Sequence, residues 1–370
     1  MHPLSLYIHI PFCASKCPYC DFYSLEGANS ALMEQYCTAL IRQGETLAPF
    51  ALGRQVKSIF FGGGTPSLLP GEKIAEILHH LATKFIFAED IEITTEANPD
   101  SANKAWLTAV SKAGVNRVSF GAQSFNNSQL AALGRPHSAS DTTKCVAVAQ
   151  ELGMNVSLDL MFALPKEDAT GMLHSIKSAV ALGVDHISLY GLKVEEDTPF
   201  DKVRSSLALP DDDQQAQMYL TAVSALAQHG YEQYEISNFA KNGRQCRHNL
   251  TYWQGGEYLG LGTGAYSYFN GVRFGVVRDV EAFVACHDFA LSSPIYQDHE
   301  SIDQAEQKRE RIIFGLRLNE GVPTHLLPAH VVAKCVDQGL GKVKEERFSL
   351  TPRGMLVCNA VIGEMVEFEN

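Results

Sequence analysis

Six short apolar runs, each followed by a longer stretch of helical periodicity, constrain this chain more than any other feature. The runs span 4–10, 56–61, 91–96, 117–121, 156–160 and 186–190 and are rich in Ile, Val and Phe. Between them the spacing predicts helices over 31–47, 71–85, 101–113, 142–152 and 168–182, several ending at glycines such as Gly114, Gly153 and Gly183. Strand-helix alternation implies parallel strands joined by helical crossovers, so an α/β fold follows. Six units in about 190 residues fit either an open doubly wound sheet or a partial (β/α) barrel. A further helix, opened by Pro210 and Asp211 and closed by Gly230, completes the sixth unit.

Beyond that helix the pattern changes. From 231 to about 289 the chain is rich in glycine and aromatic residues and is read as strands and loops leaning on the barrel. The last 70 residues resume helical patterning, with Thr351 and Pro352 as cap and first turn of a terminal helix running to Met365. The expected division is a barrel over 1–235, an extension over 236–299 and a small, mostly helical domain over 300–370. A chain of 370 residues exceeds what one core usually holds, which agrees with more than one part.

Charge and cysteine usage exclude several classes. Thirty Lys and Arg against 42 Asp and Glu leave a net charge of −12, which opposes a phosphate-neutralising surface, so nucleic acid is not expected as a partner. No window of 18 uninterrupted apolar residues suggests a membrane span, and residues 1–15 lack a basic start and long apolar stretch, so a cytoplasmic protein is expected. Of nine cysteines, Cys37, Cys145, Cys246, Cys286, Cys335 and Cys358 are scattered, which does not suit a disulfide framework. Cys13, Cys17 and Cys20 are bunched instead, as in metal or redox sites.

These three follow the spacing C-x3-C-x2-C directly after the first strand, where a barrel's active face collects its loops. A four-iron cubane held by three thiolates keeps one iron open to another ligand. The alternative is a structural zinc completed by His9 or a distant cysteine, although the spacing lacks the second paired half of common zinc sites. After the second strand come Gly62, Gly63, Gly64, Thr65 and Pro66, a run that lets backbone approach a ligand closely or simply turns the chain. No Lys follows, so a phosphate loop is not supported. Glu96, Gln123 and Asp159 end the third, fourth and fifth strand units and would converge on the same rim, each otherwise readable as a strand-end cap. A carboxylate such as Glu96 can accept from an ammonium or from ribose hydroxyls, and Arg135 can pair with a carboxylate.

Tyr7, His9, Pro11, Phe12, Cys13, Cys17, Tyr19 and Cys20 together resemble the cluster loop of the radical S-adenosylmethionine (SAM) superfamily. The run Tyr-Ile-His-Ile-Pro-Phe-Cys is similar to that of the oxygen-independent coproporphyrinogen III oxidase group, and Asp21-Phe22 after Cys20 to its heme-chaperone branch. The resemblance covers nearly the whole chain. It implies a partial (β/α)6 radical SAM barrel with a small C-terminal domain. It also implies a [4Fe-4S] cluster on Cys13, Cys17 and Cys20, with SAM chelating the open iron through its amino and carboxylate groups. Tyr7, Tyr19, Gly63, Gly64, Thr65, Glu96, Gln123, Arg135 and Asp159 map onto SAM contacts of the group. No residue is assigned a catalytic role.

Two features separate the chain from the oxidases it resembles. They carry a further cysteine two residues beyond the third ligand, where Phe22 stands here, and a longer N-terminal arm, whereas twelve residues precede Cys13. A shorter arm shields radical chemistry less well from water, which argues against oxidative decarboxylation. The string His248, Asn249, Tyr252 and Trp253 resembles the signature of the heme-chaperone branch. Imidazole is a good axial ligand for heme iron, and Tyr or Trp can flank the macrocycle, so His248 is the heme candidate and Cys246 a weaker one. A histidine beside aromatics can equally be a packed, hydrogen-bonded residue. The expected function is therefore a heme chaperone that passes heme to an acceptor the sequence does not name, membrane-associated or not. The alternative is a radical enzyme that cleaves SAM and oxidises a porphyrinogen propionate.

Overall fold

Alternate side chains of a strand point to opposite faces, and in six long strands of this protein the two faces differ in chemistry. In the computed structural model, which describes residues 1–366, the first unit is β1 (His2–Ile10) followed by α1 (Ser30–Leu47). The series continues through β2 (Arg54–Gly63), α2 (Gly71–Lys84), β3 (Phe87–Ala97), α3 (Lys104–Lys112) and β4 (Arg117–Gln123). It ends with α4 (Ala139–Glu151), β5 (Asn155–Phe162), α5 (Ala169–Ala181), β6 (His186–Gly191) and α6 (Asp212–Gln228). On β1, Leu4, Leu6, Ile8 and Ile10 are fully buried in the core; so are Val118 and Phe120 on β4 and Val156, Leu158 and Leu160 on β5. The other face carries Tyr7, Glu96, Arg117, Ser119, Asp159 and His186, which line a common lumen. Apolar residues thus pack outward on the helices while a polar set is held inside.

The strands β1 to β6 run parallel in sequence order. Five of the six helices start at a side chain that caps their free amides, Asn29, Asn103, Ser138, Asp168 and Asp211, the third and fifth as reciprocal capping boxes. Those caps fix where five of the six helices begin.

The segment read from sequence as strands and loops leaning on the barrel is continuous with the sheet itself. Beyond α6 come β7 (Glu232–Gln233), β8 (Asn238–Ala240), α7 (Arg247–Trp253), β9 (Tyr258–Leu261), β10 (Tyr266–Phe269), β11 (Val272–Val276) and β12 (Tyr296–Ser301). The result is a 12-stranded sheet in the order β12-β11-β10-β9-β1-β2-β3-β4-β5-β6-β8-β7. Here β9 joins β1 in parallel, whereas β8 and β10 pair antiparallel with their neighbours. With β12 and β7 at its edges the barrel is partial.

Three details differ from the sequence reading. The H-N-x-x-Y-W string lies on a helix, α7, and not among strands and loops; seven residues are too few to show a helical stripe. The terminal helix is broken at Val357 into Pro352–Leu356 and Cys358–Val366, although Thr351 caps its start through Gly354 N as expected. The C-terminal region, which begins with α8 (Gln304–Gly315), also contains a three-stranded antiparallel sheet of Val322–Pro323, Arg347–Leu350 and Gly341–Lys344. One apolar core runs from the barrel helices into this region. Among the described residues no helix is long and apolar enough to cross a membrane.

Because β1 is paired on both sides, Ile8 lies between Leu261 and Phe61 with no exposed surface. Ile8→Ala is expected to lower stability by about 3 kcal/mol, read from the denaturant midpoint at unchanged slope. A loss under ~1 kcal/mol would mean that this strand is not the buried centre of the sheet.

Candidate cofactor site

The loop after β1 is tied to the glycine run by backbone alone. Gly64 N donates to Ile10 O and Thr65 N to Phe12 O, each at 2.8 Å, so Cys13 starts from a fixed point. This pairing needs glycine, because a Cβ on Gly64 would stand 2.7 Å from the Phe12 carbonyl oxygen. Gly63 sits at φ 111 with its Cα face against the His9 ring, which a Cβ would overlap. Cys20 N closes a turn onto Cys17 O at 3.0 Å, and the loop returns through a short parallel pairing of Phe12–Cys13 with Leu25–Glu26.

Cys13, Cys17 and Cys20 are free thiols that line one cavity of about 160 Å³ with Gly63, Gly64 and Thr65. Glu96, Gln123, Arg135 and Asp159 line the same cavity, so the structure brings these sequence candidates together. Tyr19 lines it too, and with Glu96, Gln123 and Asp159 it also borders a lumen of about 550 Å³ inside the barrel. Tyr7 lies on the lumen side. Among the described residues no three His, Cys, Asp or Glu side chains close round a point as a single metal ion requires.

His9, the histidine that would complete a zinc site, is already committed. Its Nε2 lies 3.1 Å from the Tyr23 carbonyl oxygen, which can only accept, so Nε2 carries the proton. Nδ1 then accepts from the Tyr7 hydroxyl at 3.0 Å. Burial lowers the His9 pKa to about 4, which keeps the ring neutral. Three thiols facing open space, with no fourth protein ligand offered by His9, suit a cluster with one free corner.

The charged groups around this space are arranged against each other. Burial first, and the neighbouring Asp159 charge second, raise the Glu96 carboxyl to about 8 although Gly63 N donates to it at 3.2 Å. Burial raises Asp159 as well, opposed by the Ser188 and Ser119 hydroxyls and by Arg117 and Arg135. Arg135 pairs with no carboxylate: its guanidinium donates to Asn98 Oδ1 at 2.6 Å and Gly121 O at 3.0 Å and lies 3.4 Å from Cys17 Sγ. Its Nε is buried without a partner, an orphan donor beside the cysteine loop. Gln123 adopts φ 60 where the β4–β5 register shifts, a bulge that re-aims its side chain at the end of the strand.

Two residues escaped the sequence reading. Asn98 bridges Arg135 and Thr65 Oγ1, the latter at 3.3 Å, and its place two residues beyond Glu96 on the same rim could have shown it. Arg117 lies buried on the lumen wall, and an arginine that opens an apolar strand gives no sign of which way it points.

His248 lies on the lumen wall rather than at an open face. It is 1% exposed, its Nδ1 is 2.9 Å from Ser58 Oγ and its Nε2 2.8 Å from the Tyr252 hydroxyl. Phe60 stacks on the ring at 5.2 Å, and burial lowers the pKa to about 3. Both nitrogens are thus taken, and in this conformation His248 is the packed, hydrogen-bonded residue that the sequence also allowed. Cys246 is buried, its thiol held 3.5 Å from Glu92 Oε1 and pushed up to about 12 by burial and then by that carboxylate, which disfavours the thiolate a metal would bind.

Comparison with known proteins gives a consistent picture. The family model of the radical SAM superfamily matches residues 7–191, and that of the HemN C-terminal domain matches residues 302–357. The chain is 37% identical over 379 aligned positions to the heme chaperone HemW of Bacillus subtilis (strain 168), covering 97% of this chain and 98% of that relative. It is 41% identical over 265 positions to the heme chaperone HemW of Escherichia coli (strain K12), covering 71% and 70%. The solved structure of coproporphyrinogen III oxidase (HemN) from Escherichia coli, a radical SAM enzyme, superposes with a TM-score of 0.84 at 22% identity. That superposition covers 98% of this chain and 89% of the other, and it shows a common fold.

A neutral buried Glu96 has a definite signature in pH. Its folded pKa lies above the ordinary carboxyl value of 4.5, so its contribution to stability is fully present below that value and is lost as pH rises towards about 8. Denaturant midpoints of the cluster-free protein between pH 5 and 8 should fall more steeply for the wild type than for Glu96→Gln. Parallel profiles would contradict a carboxyl that is protonated at neutral pH.

Proposed function

The chain belongs to the radical SAM superfamily and, within it, to the heme chaperone HemW family, and from this premise we propose that it binds heme and passes it to an acceptor protein. One observation carries the reading: the likeness to heme chaperones extends along 97% of the chain, through the cysteine loop and α7 alike. At the site it is supported by Phe22, 71% exposed at the cavity mouth where the oxidases of the resemblance have a cysteine. The oxidase reading has a shared fold behind it and nothing more specific.

In this proposal Cys13, Cys17 and Cys20 hold a [4Fe-4S] cluster, whose three-thiolate attachment supplies one open iron for the amino acid group of SAM. Glu96 and the Gly63–Gly64 backbone accept the ammonium, and the unpaired Nε of Arg135 is a donor for the carboxylate. Glu96 is neutral in the empty site, so receiving an ammonium drives off its proton. Gln123, Asp159, Tyr7 and Tyr19 border the lumen side, where the rest of the cofactor would lie. His9 holds Tyr7 in place from below. All nine cysteines are free thiols, which suits a reducing compartment, and we place the protein in the cytoplasm. A membrane-bound acceptor would receive heme there at the membrane surface.

His248 can ligate heme iron only once Ser58 or Tyr252 releases a ring nitrogen. Titration of the purified protein with hemin is expected to give a saturable Soret shift, weakened about tenfold in His248→Ala if that ring becomes the ligand. No saturable shift in the wild type would overturn the chaperone reading. An unchanged spectrum and affinity in His248→Ala would leave His248 structural. Iron and sulfide analysis after oxygen-free reconstitution checks the cluster independently, with both expected to drop sharply in Cys17→Ser.

A further inference from the structure

A line of hydroxyl groups runs through the barrel wall between β1, β2 and α7. Ser5 on β1 and Ser58 on β2 are direct partners across the sheet, just after the register shifts between Leu4 and Ser5. Their oxygens lie 2.7 Å apart, Ser5 Oγ is 2.9 Å from Thr251 Oγ1 on α7, and Ser58 Oγ is 2.9 Å from His248 Nδ1. His248 Nε2 reaches the Tyr252 hydroxyl at 2.8 Å. Tyr252 lines the lumen together with Glu96. Ser5, Ser58 and His248 are buried, whereas Thr251 is half-buried beside the exposed Arg247. The line therefore leads from the lumen wall, through the sheet, to a residue at the protein surface.

Counting donors fixes the direction of every hydrogen along it. The Arg247 carbonyl, 3.1 Å from Thr251 Oγ1, can only accept, so the Thr251 hydroxyl spends its hydrogen there. Ser5 must then donate to Thr251, Ser58 to Ser5, and His248 Nδ1–H to Ser58. Nε2 is left with a lone pair and accepts from the Tyr252 hydroxyl. Every member has a partner and none has a hydrogen to spare, so reversing one bond reverses them all. Facing alanines at the two strand positions would pack there without burying hydroxyls that need satisfying. A buried chain with a single direction does what alanines cannot: it passes a proton while its heavier atoms stay in place.

We propose that Tyr252, His248, Ser58, Ser5 and Thr251 form a proton path between the lumen and the surface, and that it removes the proton which an ammonium ligand displaces from the site. The path rests on the cofactor reading above, in which Glu96 is neutral in the empty site and surrenders its proton as the ammonium of SAM arrives. A ligand that fills the cavity blocks the direct way out, and the path leaves on another side. The transfer balances atom by atom. Lumen solvent carries the Glu96 proton to the Tyr252 oxygen as the Tyr252 hydrogen moves to Nε2. The Nδ1 hydrogen moves to Ser58, that of Ser58 to Ser5, that of Ser5 to Thr251, and that of Thr251 to outside water. One proton enters, one leaves and nothing is oxidised. The imidazole is left as its other tautomer with every bond reversed, and a proton returning when the ligand departs restores the starting state. The path needs His248 as described, with both ring nitrogens engaged.

Rapid mixing of SAM with the full-length, cluster-loaded protein, in weak buffer containing a pH indicator, reads the displaced proton directly. Release of about one proton per site is expected. Thr251→Val should slow that release at least about tenfold at unchanged SAM affinity, and Thr251→Ser, which keeps the hydroxyl, should retain the wild-type rate. Nitrogen chemical shifts of labelled His248 give a second readout, with the hydrogen on Nδ1 in the empty protein and on Nε2 at saturating SAM. Release at the wild-type rate in Thr251→Val, or a ring protonated on Nε2 in the empty protein, overturns the path while leaving the cofactor reading intact. Saturable SAM binding with no proton released overturns the Glu96 exchange and the path with it, and absence of SAM binding overturns the cofactor reading itself.

Discussion

Everything in this molecule depends on the twofold alternation of its parallel strands. A strand buried on both faces normally reads as a continuous apolar run, because helices cover one side and packed side chains fill the other. Here the second set is Ser, Glu, Arg, Asp, Tyr and His, held inside by the same backbone that drives Leu6, Ile8, Phe120 and Leu158 outward into the core. Register then decides which polar groups meet. Glu96 pairs with Ser119 and Asp159 with Ser188 across adjacent strands, and a shift of one residue would send the whole set into the helices.

The site inherits its electrostatics from that arrangement. Two carboxyls, Glu96 and Asp159, share one cavity with Arg135 on one side and Arg117 below, and the outcome is one neutral carboxyl and two arginines that cannot lose their charge. The glycine run contributes no side chain, yet it sets the distance between cysteine loop and strands through two 2.8 Å backbone bonds. Hydrogen bonds to a neutral His9 stiffen the same corner from beneath, so the loop is braced before any ligand arrives.

Much of this was legible in the sequence, for physical reasons that also explain what was not. The six strand units and their helices show because apolar spacing and glycine stops act locally, and the cysteine spacing shows because its ligands sit on one loop. The helix α7 did not show. Its free amides are capped not by a neighbour but by Glu92, which accepts from Arg247 N at 3.2 Å and His248 N at 3.1 Å across a long stretch of chain. The strands β9 to β11 are four or five residues long and take their stability from β1 and from one another, so no period betrays them. His248 reads in the sequence as a heme candidate or a packed residue for a related reason: its string names its chemistry, whereas Ser58 and Phe60, which enclose it, lie on a strand nearly two hundred residues earlier.

The position of Glu92 carries one more consequence. It stands on β3, the strand that also carries Glu96, so a single extended segment touches α7 with one carboxyl and the glycine run with the other. Four residues of strand span about 13 Å. Bond lengths, rather than the fit of side chains, therefore set the gauge between α7 and the glycine run.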